Sequence, residues 1–364
     1  LDPTTICSGS IAVFLTGHVA GDRGEQLGLR IGVIGTGKLG REHVRVLSGM
    51  GDVDYLACHD IDADRAQRVG EEFNARAFTD AEALMSEVDA VSIVVPSSVH
   101  AQVAVGALEA GKDVFLEKPI AGDVPSAERI VEAARRNGRI LQMGHVERFN
   151  PAVEAALPHI QEPSFIEVHR LANFVPRGID VSVATDLMIH DIDLLFLFMD
   201  CPPSDIRAKG AGILTPGPDI INARLEYPNG CVANLTASRV SMEPMRKVRI
   251  FSRNQYLSID LLHRSVKRYE KKADFEKMIA KLHPLGNNAQ PIDMRDFLVI
   301  EESEASGEEP LGRELEAFCR SVMTRSEPPV TGEDGLRALR LVESILEKIE
   351  RDTTFPSSNT PRSS

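Results

Sequence analysis

The stretch Leu29-Arg-Ile-Gly-Val-Ile-Gly35-Thr-Gly37-Lys-Leu-Gly40 decides the fold of this chain. Leu29–Ile34 is an apolar, β-branched run that ends in glycines, the pattern of a buried strand. Lys38–Met50 reads as a helix. Between a strand and a helix, each glycine of Gly-x-Gly-x-x-Gly has a separate use. Gly35 permits the tight turn, Gly37 lets a pyrophosphate approach the backbone, and Gly40 lets the helix pack closely on the strand. The helix N-terminus then stabilises phosphate charge. Gly35, Thr36, Gly37, Lys38, Leu39 and Gly40 are therefore expected to hold a dinucleotide. Asp60 ends the next strand, Val53–His59, 20 positions beyond Gly40. The fingerprint places an acid there to bond the adenosine ribose. Its charge repels a 2′-phosphate, no arginine follows it directly, and Arg65 lies more than a turn further on. NAD is expected over NADP; the plain alternative for Asp60 is a turn residue at a strand end.

Working outward, strands keep alternating with helices. Asp62–Asn74 reads as a helix, Val88–Val95 as a strand, Ser98–Ala110 as a helix and Asp113–Leu116 as a strand. Pro125–Asn137 follows as a helix and Arg139–Met143 as a strand. That rhythm predicts a parallel sheet with right-handed crossovers. It changes near residue 150. After a helix at Pro151–His159 come a strand at Ser164–Phe174 and a very apolar helix at Thr185–Met199. Strand-like runs then follow at 206–214, 220–227, 231–239, 247–251 and 256–259. Tyr227-Pro-Asn-Gly230 is a hairpin signal, so a large, mostly antiparallel, open-faced sheet is expected. Residues 264–310 read as a charged, irregular excursion, and 313–325 and 332–351 as closing helices. The fold class is thus an α/β Rossmann domain over 29–148, followed by an α+β domain over 149–351. Residues 1–28 are expected to be an extension outside the fold and 352–364 a disordered tail.

Two domains suit 364 residues. A net charge of -13 argues against a general nucleic-acid binder, although a few local arginines can still build an anionic subsite. The five cysteines, Cys7, Cys58, Cys201, Cys231 and Cys319, form no CxxC pair. Reduced thiols in a cytoplasmic protein are expected, without a zinc site. No apolar run approaches the ~18 residues of a membrane helix, and Ile11–Leu15 lacks the basic flank of a signal peptide.

Further motifs sharpen the reading. Val95-Pro96-Ser97-Ser-Val-His100, Glu117-Lys118-Pro119, Asp186-Leu-Met-Ile-His190-Asp-Ile-Asp193, Glu314-Leu-Glu-Ala-Phe318 and Pro329-Val-Thr-Gly-Glu-Asp-Gly335, with the glycine loop, resemble the Gfo/Idh/MocA oxidoreductase family. The resemblance covers roughly residues 29–350. Gly144-His-Val-Glu-Arg-Phe-Asn-Pro-Ala152 looks like the branch of that family that oxidises nucleotide sugars, in particular UDP-N-acetylglucosamine at C3. The resemblance implies a cis Lys118–Pro119 bond, Glu117 near the nicotinamide ribose, and cofactor contacts from Pro96, Ser97 and His100. His100 has an equally good reading as a helix cap.

The residues carry a chemistry of their own. Lys118 lies just beyond a strand, at the edge where open α/β sheets place their sites. There it can donate a hydrogen bond to a reacting hydroxyl and stabilise alkoxide charge. On the apolar helix Thr185–Met199, the spacing i, i+4, i+7 puts Asp186, His190 and Asp193 on one face. Charges on a buried helix are costly unless paired or functional. His190 is expected to be the general base, oriented by Asp186, with the substrate hydroxyl between His190 and Lys118. A buried structural Asp–His network is the bland alternative. Arg148, Asn150, Arg170 and Arg177 are candidates for the substrate. The two on or after the Ser164–Phe174 strand suit a diphosphate, whereas Asn150 before Pro151 is also a good helix cap.

These readings converge on an NAD-dependent dehydrogenase that oxidises a ring hydroxyl of a sugar nucleotide. Another sugar or cyclitol dehydrogenase, an NAD-dependent glycoside hydrolase and a dinucleotide-sensing regulator stay open. The open sheet is expected to leave an apolar face that builds a homodimer or homotetramer.

Overall fold

The computed structural model describes residues 28–176, 181–199, 201–282, 293–304, 307 and 309–352. Arg177, the extension before residue 28 and the tail after residue 352 lie outside the described residues. The chain divides into two compact units. The described residues within 28–159, 193–199 and 304–340 form the first; those within 160–192, 201–303 and 341–352 form the second. This differs from the expected division into two consecutive segments at 148/149.

The first unit opens with β1 (Leu29–Ile34), α1 (Lys38–Ser48), β2 (Val53–His59), α2 (Ala63–Phe73), β3 (Arg76–Phe78), α3 (Ala81–Glu87) and β4 (Ala90–Ile93). It continues with α4 (His100–Glu109), β5 (Asp113–Glu117), α5 (Val124–Asn137), β6 (Leu141–Gly144) and α6 (Pro151–Ala156). Asp62, Asp80 and Asp123 each accept from a backbone N–H in the first turn of α2, α3 and α5, which satisfies donors a helix start leaves unpaired. Gly138, at φ 59°, ends α5 in a left-handed turn. β3 and α3 have no counterpart in the sequence reading; both are too short to show a period.

The strand order is β3-β2-β1-β4-β5-β6, and the named pairs are parallel. The order reverses between β1 and β4. That is the switch point of a doubly wound sheet, where ligands sit beyond the carboxyl ends of the strands. Every residue of β5 is buried, as expected of a parallel strand covered on both faces. α9 (Pro310–Thr324) supplies Leu311, Leu315, Phe318 and Cys319 to the same core. Phe318 meets Phe115 edge-on at 5.8 Å. Truncating such a side chain to alanine costs about 3–5 kcal/mol, so residues far along the chain belong to this unit for a physical reason.

The second unit contains β7 (Phe165–Leu171), β8 (Asp205–Ala211), β9 (Ile220–Glu226), β10 (Val232–Ser238), β11 (Met245–Phe251), β12 (Gln255–Asp260) and β13 (Ser265–Lys271). α8 (Phe275–Leu282) and β14 (Leu298–Glu304) follow, so the stretch read as an irregular excursion holds two strands and a helix. Charged side chains along this edge of the sheet hide the alternation. The order is β14-β13-β12-β11-β7-β10-β9-β8. β7 and β10 run parallel, while β8–β9, β9–β10, β7–β11, β11–β12 and β12–β13 run antiparallel. The turn at Tyr227–Gly230 joins β9 to β10, with Gly230 at φ 83°.

One face of this sheet buries Ile166, Val168, Leu235, Val248, Ile250, Leu257 and Ile259. The other is not the apolar face expected from the sequence. Arg249 pairs with Glu167, and Lys247 with Asp260. Phe165, Phe251, Tyr256 and Tyr269 form a ladder of rings at one end of that face.

The helix expected over 185–199 is two pieces. Ala184–Met188 is a π-helical turn, and α7 (Ile189–Met199) is regular. The wider turn puts Asp186 and Asp193 out of simple helical register. Asp186 is exposed, His190 is half-buried and Asp193 is buried, so the three do not share one environment. α10 (Gly332–Asp352) begins in the first unit and ends in the second.

Candidate functional site

In the first unit, the glycine loop lies at the switch point. Gly35 has φ 96°, and a Cβ there would collide with the carbonyl of Val94. A Cβ on Gly40 would collide with the carbonyl of Gly35. Glycine is thus forced at both positions by the chain itself. Gly37 differs: a Cβ there would meet nothing within 4 Å. Packing does not demand glycine at 37, whereas close approach of a ligand to its backbone does. Gly37 is also the N-cap of α1, so no side-chain oxygen accepts from the N–H groups of its first turn. Lys38 and Leu39 are exposed there.

Asp60 is locked to this loop. Its Oδ2 accepts from the Thr36 backbone N–H at 2.8 Å and from Thr36 Oγ1 at 3.1 Å; its Oδ1 accepts from Asp62 N–H at 3.0 Å. Burial would raise its pKa, but the N–H groups of Asp62 and Thr36, together with Arg65, hold it below the ordinary carboxylate value. The Arg65 guanidinium reaches back to within 3.4 Å of both oxygens. The sequence reading set Arg65 aside as too distant. It offsets part of the charge that would repel a 2′-phosphate.

The ends of β4 and β5 carry the next group. Pro96 is exposed and Ser97 half-buried. His100 is 1% exposed, and its ring nitrogens lie 2.9 Å from the carbonyls of Pro119 and Val95. It straps Val95 to Pro119, so the ring expected at a ligand is engaged here with the chain's own carbonyls. Burial lowers its pKa, against the raising pull of those carbonyls and of Glu117. The Lys118–Pro119 bond is cis. Lys118 is half-buried, and its backbone N–H donates to Glu117 Oε2 at 3.1 Å. Glu117 Oε1 also meets His43 Nε2 at 3.2 Å.

Arg148 and Asn150 turn inward. Arg148 forks onto Asp193 at 2.6 and 2.8 Å and reaches Asp334 at 3.3 Å. Burial opposes its charge, but Asp193 and Asp334 raise its pKa further. Asn150 is buried and caps α6 by accepting from Ala152 N–H at 3.1 Å. Neither expected substrate contact is tested by these bonds; here the arginine braces three segments of the first unit, and the asparagine caps the helix. In the second unit Arg170 is 3% exposed. Its Nε and Nη2 hold Asp191 at 2.8–3.0 Å, so the guanidinium expected to meet a diphosphate is paired here with an internal carboxylate. Lys118 belongs to the first unit, and Asp186 and His190 to the second.

Several buried polar groups, two of them inside quoted motifs, are given no role by the sequence reading. His43 is one. Glu314 is fully buried, and neither of its carboxylate oxygens has a hydrogen-bond partner among the described residues. Burial, then the charges of Glu117, Asp193 and Glu147, raise its pKa well above the ordinary value. His145, 1% exposed, likewise has both ring nitrogens unsatisfied, and burial lowers its pKa. The only signal in the sequence was a polar residue on an otherwise apolar face. His43 precedes Val44 and lies one turn before Leu47, while Glu314 lies one turn before Phe318. The described residues contain no cluster of three or more potential metal ligands. No helix among them is long and apolar enough to cross a membrane.

Comparison with known proteins agrees with this geometry. Residues 29–145 match an oxidoreductase family profile described as an NAD-binding Rossmann fold. Residues 166–257 match the GFO/IDH/MocA C-terminal domain. A UDP-N-acetylglucosamine 3-dehydrogenase of Acidithiobacillus ferrooxidans is 40% identical over 246 residues, covering 67% of this chain and 78% of the relative. A crystal structure of that enzyme superposes with a TM-score of 0.79 over 90% of this chain and 99% of its own, at 33% identity. An inositol 2-dehydrogenase of Acidothermus cellulolyticus is 33% identical over 204 residues, covering 53% of this chain and 60% of the relative.

Proposed function

Because the chain belongs to the Gfo/Idh/MocA family of oxidoreductases acting on CH–OH groups, we propose that it oxidises a UDP-sugar, UDP-N-acetylglucosamine at C3, with NAD. The observation that carries the cofactor half is the Asp60 carboxylate fixed on Thr36 beside the open position at Gly37. The substrate half rests on the likeness to the Acidithiobacillus enzyme.

When bound, the nicotinamide supplies the hydride acceptor. The chain does the rest. Gly35–Gly40 and the start of α1 receive the pyrophosphate. Asp60 receives the adenosine ribose, and Glu117 faces the nicotinamide ribose. Lys118 and His190 are the proposed proton-handling groups. An imidazole is largely neutral at pH ~7 and can accept the hydroxyl proton. A lysine ammonium donates a hydrogen bond and stabilises the developing alkoxide. Asp186 is proposed to orient His190.

The inositol 2-dehydrogenase relatives support a second substrate class, cyclitols. A screen of UDP-sugars, free sugars and inositols with NAD and NADP, followed by absorbance of the reduced nicotinamide, separates the two. Turnover with UDP-N-acetylglucosamine and NAD is expected; turnover confined to inositols would overturn the substrate assignment. A cytoplasmic homodimer or homotetramer completes the proposal, with the aromatic ladder of β7, β11, β12 and β13 as the natural contact. A monomer by light scattering would reject it.

A further inference from the structure

Glu117 is a buried carboxylate held at each oxygen. Lys118 N–H donates to Oε2 at 3.1 Å, and His43 Nε2 stands 3.2 Å from Oε1. His43 is fully buried on α1, the helix that begins at the glycine loop. Its other nitrogen, Nδ1, lies 2.9 Å from the hydroxyl of Ser92, itself fully buried on β4. The ring sits edge-on to Phe115 at 5.4 Å, which fixes its plane. The carboxylate has been given room: β6 pairs with β5 so that Gly144 lies opposite Glu117. A Cβ at 144 would stand 3.0 Å from the Glu117 carboxyl carbon.

We propose that His43 is a positioning residue for the cofactor, acting through Glu117, with Ser92 fixing the tautomer that does so. The proposal rests on the reading that Glu117 faces a nicotinamide cofactor. A carboxylate accepts only, so the proton must sit on Nε2 for that contact to be a hydrogen bond. The Ser92 hydroxyl donates to Nδ1 and leaves the proton on Nε2. Serine, histidine and glutamate in this order resemble a nucleophilic triad, but Ser92 is sealed in the sheet and attacks nothing. The chain of bonds instead joins α1, which opens at the pyrophosphate loop, to the end of β5, which carries Glu117 and Lys118. A cofactor seated on both is held at a fixed spacing, and the carboxylate cannot swing towards Lys118. The neighbouring acid Glu314 fits this arrangement. Burial, then the charges of Glu117, Asp193 and Glu147, push its pKa well above the ordinary carboxylate value.

The test is a double-mutant cycle on NAD affinity and on kcat, with wild-type, His43→Met, His43→Gln and Ser92→Ala proteins, each also combined with Glu117→Gln. Wild-type binding of NAD establishes the premise; a wild type that binds no nicotinamide cofactor overturns the proposed function itself. His43→Met is expected to weaken NAD by about tenfold, the scale of one hydrogen bond to a charged group. His43→Gln retains an N–H near the Nε2 position and should recover most of that loss. In the Glu117→Gln background, His43→Met should change NAD affinity by less than about twofold, because coupled partners are not additive. Equal losses in both backgrounds would mean a merely structural histidine and overturn the inference, as would unchanged affinity in His43→Met. Should His43→Met fail to fold, Ser92→Ala carries the same cycle: a loss of NAD affinity smaller than tenfold is expected in the wild-type background and nearly none in the Glu117→Gln background, and equal losses in both, or none in either, overturn the inference.

Discussion

Replacing Arg148 with methionine removes one charge and strands another. Asp193, 1% exposed at its side chain, loses its guanidinium partner, whereas Asp334, 13% exposed, keeps Arg337 at 2.6 Å. Nη1 also lies 3.5 Å from the carbonyl of Pro329, which ties down the approach to α10. Breaking a buried pair costs about 3–5 kcal/mol, chiefly because a charge is left uncompensated. For a body of about 150–250 residues, each kcal/mol moves Tm by roughly 2–4 °C. The expected fall is therefore roughly 6–20 °C in a thermal melt at neutral pH. The double variant Arg148→Met with Asp193→Asn removes one stranded charge and should regain a substantial part of that loss. If Arg148 instead served the substrate, the melt would hold to within about 2 °C while KM for the UDP-sugar rose tenfold or more. That result would refute the brace.

Asp60→Ala should weaken NAD more than NADP, but the contrast is expected to be modest because Arg65 remains at the site; equal weakening of both would remove Asp60 from the ribose. Lys118→Ala and His190→Ala should each lower turnover by about 10²-fold or more with NAD affinity little changed, whereas near-normal turnover in both would mean the chemistry lies elsewhere. Glu314 has a raised pKa in the folded chain, so the fold binds a proton that the unfolded chain has released above its ordinary carboxylate value of ~4.3. Stability from this position therefore falls as pH rises above that value. Glu314→Gln should match the wild type near pH ~4 and gain on it as pH rises above the ordinary carboxylate value in paired thermal melts; a variant that loses ground as pH rises would contradict a raised pKa at Glu314.

The sequence by itself determined what local geometry dictates. Gly35 needs a positive φ, Gly40 must clear a carbonyl five residues back, and Asp60 ends the strand that pairs with β1. The parallel sheet was legible because strand–helix alternation is local, and the cis Lys118–Pro119 bond because the family resemblance implies it. Likewise legible was the hairpin at Tyr227–Gly230. Only the tertiary structure decided what the buried charges do. Arg148 meets Asp193 across 45 residues, Glu117 meets His43 across 74, and Gln142 bonds the Glu314 backbone across 172. No period or spacing announces such partners. An arginine bound for substrate and one bound for an internal aspartate look alike in a sequence. What separates them is whether folding places a carboxylate within hydrogen-bond reach, since a buried charge persists only where one is supplied.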